Sequence, residues 1–288
     1  MPTNNMPNTT SDATSNTILQ RVKRYGCALQ YVNKQTPEIC TAAVQQDGYA
    51  LQYVKDQTPE ICMAAVQQNG EALFCVKQQT PEICIAAVQH SRFALRKVKD
   101  QTPEICMAAV QHSGRALEYV EKQTAEICMT AVQQDGEALK YVKDQTPEIC
   151  MTAVKQDSGG ALKFAKEQTP ELCMVAVQNN ASALTHVEKQ TAEICMAAVQ
   201  QHGGALCVVK EQTPELCMVA VQNNPLALKC VEKQTAEICM TAVQLDGCVL
   251  EFVKKQTKEI CVAAVQQNPR AKKFVNDDMF YQVFSLSK

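Results

Sequence analysis

Sixteen cysteines are the most reactive residues of this chain, because thiols can form disulfides, bind metals or act as nucleophiles. Equivalent Cα atoms of stacked repeats should lie about 8 to 10 Å apart, beyond the ~7 Å reach of a disulfide. Cysteines that recur once per repeat are therefore interpreted as small apolar side chains buried between helices, not as disulfide partners. Eleven cysteines share this pattern, recurring at equivalent positions that we call a column: Cys40, Cys62, Cys84, Cys106, Cys128, Cys150, Cys173, Cys195, Cys217, Cys239 and Cys261.

The other cysteines and the histidines offer little for a metal site. His90 and His112 share a column in adjacent repeats, but two ligands would make a weak site. The sequence has no CxxC pair, no recurring Ser, His and Asp set and no glycine-rich phosphate loop. We therefore predict no metal, no cofactor and no enzymatic activity. Five cysteines in scattered columns are interpreted as incidental: Cys27, Cys75, Cys207, Cys230 and Cys248.

These cysteines belong to a repeat whose core, QTPEICMAAVQQ, is first complete at residues 57–68. Its opening Gln-Thr pair recurs eleven times, from Gln35 to Gln256, in steps of 22 residues except for one step of 23. The extra residue falls near Asp157 to Gly160, in a turn, where an insertion costs least. A fixed period of this length predicts a repeat array.

The first half of each repeat predicts an α-helix, helix A. Thr36 is a candidate N-cap, Pro37 suits the first helical position, and Glu38 places a carboxylate where the helix dipole favours it. On a helical wheel the apolar residues fall within one arc: Ile39, Cys40, Ala43 and Val44.

The second half predicts a shorter helix, helix B. Proline occurs in the column of Gly48, so that column is not left-handed. The residue before it is Asp, Asn or Ser in nearly every repeat, which predicts an N-cap. Ser113 and Ser158 are included in that assignment, and His202 is the exception. Ala50, Leu51 and Val54 should form the apolar stripe of helix B, and the helix should end at 55–57.

The sequence thus predicts an all-α solenoid of about twelve 22-residue hairpins with a degenerate capping unit at each end. Residues 1–16 are polar and should be a disordered tail, and 17–276 should form the array as one domain. Residues 17–34 should cap its N-terminal end. Lys272 takes the column that is Leu in every earlier repeat, so 277–288 should cap the other end.

Charge and hydropathy limit the classes of partner that we expect the chain to bind. A net charge of -2, no basic stripe and no tryptophan argue against nucleic acid and anionic membranes. No secretory signal or membrane-spanning run is visible, so we expect a reducing, cytoplasmic location. Lys55-Asp56 in one repeat becomes Glu121-Lys122 in another, which indicates either charge pairing along a seam or a solvated face.

A resemblance adds to this interpretation. The unit QTPEICMAAVQQNGEALFCV, with its TPE start, Ala-Ala-Val run, Asn-Gly turn and Ala-Leu pair, resembles a family of short helical repeats of unknown function abundant in giant viruses of protists. The similarity covers Thr17 to about Asn276. It implies a virus-encoded protein of the host cytoplasm or the virion, and that family has no established activity, cofactor or catalytic residue.

We therefore expect a non-enzymatic scaffold that binds a protein partner, as a monomer or weak homo-oligomer. Two alternatives stay open: a structural element that packs laterally or end to end, and a thiol store for redox or metal chemistry. In the scaffold hypothesis the variable columns of helix B, those of Tyr49, Gln52 and Tyr53, carry specificity. Most repeat surface is only solvated, so drifting solvent surface is the alternative, and the aromatic residues of the first half favour a binding face. Spaced i, i+3 and i+4, the three columns should form one stripe with Phe74 and Phe93 as anchors. The candidate partner-binding residues are Tyr49, Tyr53, Phe74, Phe93, Arg96, Arg115 and Tyr119.

Overall fold

The computed structural model describes residues 9–284, with side chains described for 16–281. Short α-helices alternate with 3₁₀ helices in pairs of about 22 residues, and the described residues contain no strand. The predicted all-α repeat solenoid is confirmed. Two compact units divide the chain, the first ending at Asp144 and the second beginning at Gln145. Among the described residues, no helix has the length and apolar character needed to cross a membrane.

The α-helices, helix A of each repeat, follow the chain in order. Their bounds are α1 Thr9–Arg24, α2 Pro37–Gln46, α3 Pro59–Gln68, α4 Pro81–His90, α5 Pro103–His112, α6 Ala125–Gln134, α7 Pro147–Gln156, α8 Pro170–Asn179, α9 Ala192–Gln201, α10 Pro214–Asn223, α11 Ala236–Leu245, α12 Lys258–Gln267 and α13 Asp277–Phe284.

The 3₁₀ helices, helix B of each repeat, lie between them. Their bounds are η1 Gly26–Tyr31, η2 Gly48–Tyr53, η3 Gly70–Cys75, η4 Arg92–Lys97, η5 Gly114–Tyr119, η6 Gly136–Tyr141, η7 Gly160–Phe164, η8 Ala181–His186, η9 Gly203–Val208, η10 Pro225–Cys230, η11 Gly247–Phe252 and η12 Pro269–Phe274.

Helix A begins as the sequence predicts. In α2, Thr36 is the N-cap and its Oγ1 accepts a hydrogen bond from the Ile39 backbone N at 3.3 Å, with Pro37 at the first helical position. The equivalent threonine accepts at 3.2 to 3.4 Å in the other ten repeats. The predicted core face is confirmed, because Ile39, Cys40, Ala43 and Val44 are all buried.

Helix B is a 3₁₀ helix rather than an α-helix, and it ends earlier than predicted. In η2 the helix stops at Tyr53, and Val54 is already extended although its side chain is buried. A segment of six residues makes more i→i+3 than i→i+4 hydrogen bonds, which favours the 3₁₀ form in short pieces. Three residues per turn therefore replace the α-helical period that the sequence analysis assumed.

The N-cap prediction for helix B is confirmed at most positions. Asp47 ends α2 and also begins η2, where its Oδ1 accepts from the Tyr49 backbone N at 2.9 Å. Asn69, Asp135 and Asn224 cap their 3₁₀ helices in the same way. Among the described caps, the Ser113 side chain makes no such hydrogen bond, although the position was predicted to be capped.

The 23-residue step also corrects one cap. The inserted residue makes a wider turn in which Ser158 has φ 45° and Gly159 has φ 87°, so Gly159 rather than Ser158 precedes η7. Elsewhere the glycine column is not left-handed, as predicted. Close approach explains the glycine instead, because a Cβ on Gly48 would lie 2.6 Å from the Ala65 carbonyl oxygen of the next repeat.

The glycine column shows how tightly successive repeats stack, and the opening glutamine holds the start of each repeat against the end of its own 3₁₀ helix. In each of the eleven repeats, glutamine Nε2 donates to a backbone carbonyl 18 or 19 residues later at 2.8 to 3.0 Å. Its Oε1 accepts from a backbone N 20 or 21 residues later, also at 2.8 to 3.0 Å. One side chain thereby satisfies two backbone groups at the end of the next 3₁₀ helix.

Lysines in the column of Lys55 donate to backbone oxygens of the preceding repeat. Lys77 Nζ donates to the Lys55 carbonyl at 3.0 Å, and Lys143 Nζ donates to the Glu121 carbonyl at 3.0 Å. In both cases the acceptor is a backbone carbonyl oxygen. This hydrogen bond can therefore form whether the preceding repeat has lysine or glutamate at that position.

The two ends of the array differ from the repeats. Residues 9–16, predicted as part of a disordered tail, form the first turns of α1, while 1–8 lie outside the described residues. Extending a helix already anchored by its neighbour costs less than nucleating one, which accounts for the difference. At the other end α13 packs against α12, and Lys272 Nζ lies 5.4 Å from the Phe280 ring centroid.

Candidate binding face

The 3₁₀ geometry rearranges the variable columns of helix B. With three residues per turn, Tyr49 and Gln52 lie one above the other, whereas Tyr53 points about a third of a turn away. The predicted single stripe within one helix is therefore wrong. Contacts between repeats restore a continuous surface, since Phe93 of η4 lies 6.0 Å from Tyr119 of η5, ring centroid to ring centroid. We call the surface made by these columns on η2 to η5 the variable face.

Exposure differs among the predicted anchors. Phe74 is 71% exposed and Tyr49 is 39% exposed. Phe93, Tyr53 and Tyr119 are half-buried, and Arg96 is exposed. The variable face thus combines the exposed rings of Tyr49 on η2 and Phe74 on η3 with rings that are half-buried.

Cations cover the rings of η3 and η4. The Arg92 guanidinium carbon lies 4.5 Å from the Phe93 centroid and that of Arg96 lies 5.5 Å away, on the same ring. Lys97 Nζ lies 5.1 Å from the centroid of Phe74 in the preceding repeat. These are cation–π distances, and such contacts hold long side chains in place at an exposed site.

Arg115 has partners within the chain. Its Nε lies 2.7 Å from Asp135 Oδ2, and its second nitrogen lies 2.8 Å from Glu137 Oε2 of the next repeat. The hydrogen bond and charge of Asp135 raise the pKa of Arg115, with Glu137 adding to the effect. This predicted partner-binding residue therefore holds two neighbouring 3₁₀ helices together.

Two residues beside the predicted set, Arg92 and Lys97, were missed by the sequence analysis. Arg92 occupies the column that is glycine in most repeats, and Lys97 occupies a column that is mostly aromatic. The segment RFALRK differs from the other repeats at both positions, so a comparison of the repeats could have identified these two residues from the sequence.

The cysteine column has no reactive geometry. All eleven side chains are buried, and each Sγ donates to the Oε1 of the opening glutamine of its own repeat at 3.5 to 3.8 Å. Burial raises the pKa of these thiols, including Cys84 and Cys239, which keeps them protonated at neutral pH. Within the described residues, no three His, Cys, Asp or Glu side chains are grouped to hold a metal ion.

Cys207 and Cys230 correct the prediction that the remaining cysteines are incidental. They form a disulfide between η9 and η10 of the second compact unit, with Cα atoms 4.9 Å apart. The two residues are in different columns, 23 positions apart. Stacked 3₁₀ helices bring those columns together, as they also bring together Phe74 and Lys97. The ~8 to 10 Å expected between equivalent Cα atoms therefore does not hold for this pair, because the two cysteines are not at equivalent positions.

Four stretches of the chain match one family model, described as a domain of unknown function (DUF4116): residues 16–58, 38–79, 102–146 and 125–169. These stretches resemble a repeat family of unknown function. Each match spans about two repeats, and overlapping matches begin one repeat apart. Neither the curated proteins nor the solved structures gave a significant match.

Proposed function

We propose that the chain is a non-enzymatic scaffold that binds a protein partner through the 3₁₀ helices of its first compact unit. One observation carries the proposal: three consecutive 3₁₀ helices, η1 to η3, each present an exposed aromatic side chain. Tyr31 is 73% exposed, Tyr49 39% and Phe74 71%. Exposed aromatic rings are frequent anchors of protein interfaces, because they bury a large area and lose little conformational entropy.

Other uses of the array are less well supported. A thiol store would need accessible thiolates, and burial raises the pKa of the cysteine column. A self-associating structural element remains the second candidate, since the same aromatic rings could contact another copy. Light scattering separates the two, because a monomer or weak oligomer fits the scaffold and extended assemblies would not.

The resemblance to repeats of giant viruses favours a virus-encoded protein of the host cytoplasm or the virion. Affinity purification from infected cells, followed by mass spectrometry, would both locate the protein and identify the partner. A partner recovered only with membranes or with nucleic acid would contradict this assignment.

The binding face is tested by changing its two anchors. We expect Phe74→Ser/Phe93→Ser to abolish retention of the purified partner while the circular dichroism melt stays close to that of the unchanged chain. Leu226→Ser on η10 is the matched control, because Leu226 is also exposed but lies in the second compact unit. Unchanged retention by the double variant would contradict the proposed face.

A further inference from the structure

We propose that the partner contacts the variable face with an acidic peptide segment, an inference that rests on the proposed function. Its carboxylates would pair with Arg92, Arg96 and Lys97 of η4, which we call the cationic cluster. Its apolar side chains would contact Phe74 and Phe93. Three arguments support this occupant: the composition of η4, the position of its cations and the charge around them.

The composition of η4 differs from that of the neighbouring helices η2, η3 and η5. Both η2 and η5 carry glycine where η4 has Arg92, glutamine or glutamate where it has Arg96, and tyrosine where it has Lys97, and η3 carries glycine, phenylalanine and cysteine at these positions. Helix η4 therefore has cations at three positions where η2, η3 and η5 have none. The core residues Ala94 and Leu95 between them are kept and are fully buried.

The position of the cations suits carboxylates. Arg92 and Arg96 both lie over Phe93, at 4.5 and 5.5 Å from the ring centroid. A guanidinium carries in-plane N–H donors that match the two oxygens of a carboxylate. Lys97 adds a third charge beside the exposed Phe74 ring, 5.1 Å from its centroid.

The charge around the cluster is only partly neutralised. Arg96 lies 3.8 Å from Glu71, with both side chains substantially exposed, so the pair is weak. Within the described part of the chain, neither Arg92 nor Lys97 forms an ion pair with a carboxylate. Arg115, in contrast, is held by Asp135 and Glu137. The cluster is thus a local positive site on a chain of net charge -2.

Nearby acids favour a peptide over a nucleic acid. Glu71 lies beside Arg96, and Glu118 lies on η5, the 3₁₀ helix that follows the cluster. A polyphosphate backbone spanning several repeats would meet these carboxylates without a basic stripe to offset them. A short acidic segment with apolar neighbours needs only the three cations and the two rings.

The experiment selects ligands from a phage-displayed library of random linear peptides on the full chain. We expect selected peptides to be enriched in Asp and Glu next to aliphatic or aromatic residues. The triple variant Arg92→Gly/Arg96→Gln/Lys97→Tyr uses the residues that η2 carries at the same positions. We expect it to bind a selected acidic peptide about tenfold more weakly in fluorescence anisotropy, the combined loss of three exposed charge pairs.

A second triple variant is the matched control. Lys229→Gln/Arg270→Gln/Lys273→Gln removes the same charge from 3₁₀ helices of the second compact unit and should bind the peptide unchanged. Equal weakening by both triple variants would overturn the proposal, because nonspecific attraction would then suffice. Equal or tighter binding of a single-stranded oligouridylate would also overturn it.

Two outcomes separate this inference from the proposed function. If neutral peptides are selected and Phe74→Ser/Phe93→Ser abolishes their binding, the acidic partner is wrong and the binding face stands. If the double variant selects the same peptides as the unchanged chain, or if the unchanged chain selects none, the binding face itself is contradicted.

Discussion

At the residue scale, the opening glutamine connects the preceding 3₁₀ helix to the 3₁₀ helix of its own repeat. Gln101 Nε2 donates to the Leu95 carbonyl at 3.2 Å and to the Tyr119 carbonyl at 3.0 Å. Its Oε1 accepts from the Glu121 backbone N at 3.0 Å and from Cys106 Sγ at 3.7 Å. Few other side chains could provide both a donor and an acceptor at these positions, which gives a physical reason for glutamine in all eleven repeats.

Replacing this glutamine should therefore destabilise the array. We expect Gln101→Ala to lower the free energy of unfolding by about 1 to 3 kcal/mol, because partly buried backbone groups lose their partners. Urea unfolding followed by circular dichroism measures the change. Gln111→Ala, at an exposed position of the same repeat, is the control and should cost less than about 0.5 kcal/mol. Similar losses for both variants would exclude a bridging role.

At the scale of elements, helix B depends on its cap because it is short. Asn69 ends α3 and begins η3, and its Oδ1 accepts from the Glu71 backbone N at 3.0 Å. The same residue thus closes one helix and opens the next with no linker between them. Asp135 caps η6 in the same way but also pairs with Arg115, so Asn69 isolates the cap better.

The cap prediction compares two positions that differ in this hydrogen bond. Asn69→Ala should lower the free energy of unfolding by about 0.5 to 2 kcal/mol, the usual cost of losing an N-cap. Ser113→Ala should lower the free energy of unfolding by less, since the Ser113 side chain makes no cap hydrogen bond to η5. Chemical denaturation of both variants tests the order, and a larger loss for Ser113→Ala would show that the caps are wrongly assigned.

At the scale of the whole molecule, contacts between neighbouring repeats supply the stability that one repeat cannot provide alone. The second compact unit adds a covalent contact of this kind, the disulfide between Cys207 and Cys230. Because the two residues are 23 positions apart, the bond closes a loop about one repeat long. It therefore restricts separation of η9 from η10 and constrains the unfolded chain.

Reducing this bond should weaken the second compact unit. We expect a loss of about 3 kcal/mol, the loop-closure contribution for a loop of this size. Thermal melts with and without a phosphine reductant measure it, and peptide mapping under non-reducing conditions verifies the linkage. Cys207→Ser/Cys230→Ser is the control, since its melt should not respond to the reductant. An unchanged melt of the reduced parent chain would contradict a stabilising role.

The sequence by itself determined those features that depend on neighbours along the chain. The 22-residue period, the caps of helix A at Thr36 and of helix B at Asp47, and the buried Ile39, Cys40 and Leu51 follow from local patterns. Each can be derived from hydrogen-bond donors and apolar spacing within a few residues. The fold class was therefore predictable. The absence of left-handed backbone at the glycine column was also predictable, except at the inserted residue, where Gly159 has positive φ.

Only the tertiary structure decided the contacts between repeats. The 3₁₀ form of helix B sets which columns meet, and it places Phe74 beside Lys97 and Cys207 beside Cys230. The double role of Gln101 and the ion pairs of Arg115 likewise join residues that are 18 to 22 positions apart. Such pairings depend on the rise and rotation from one repeat to the next. A repeat sequence read alone does not contain those quantities, because many stacking geometries bury the same apolar columns.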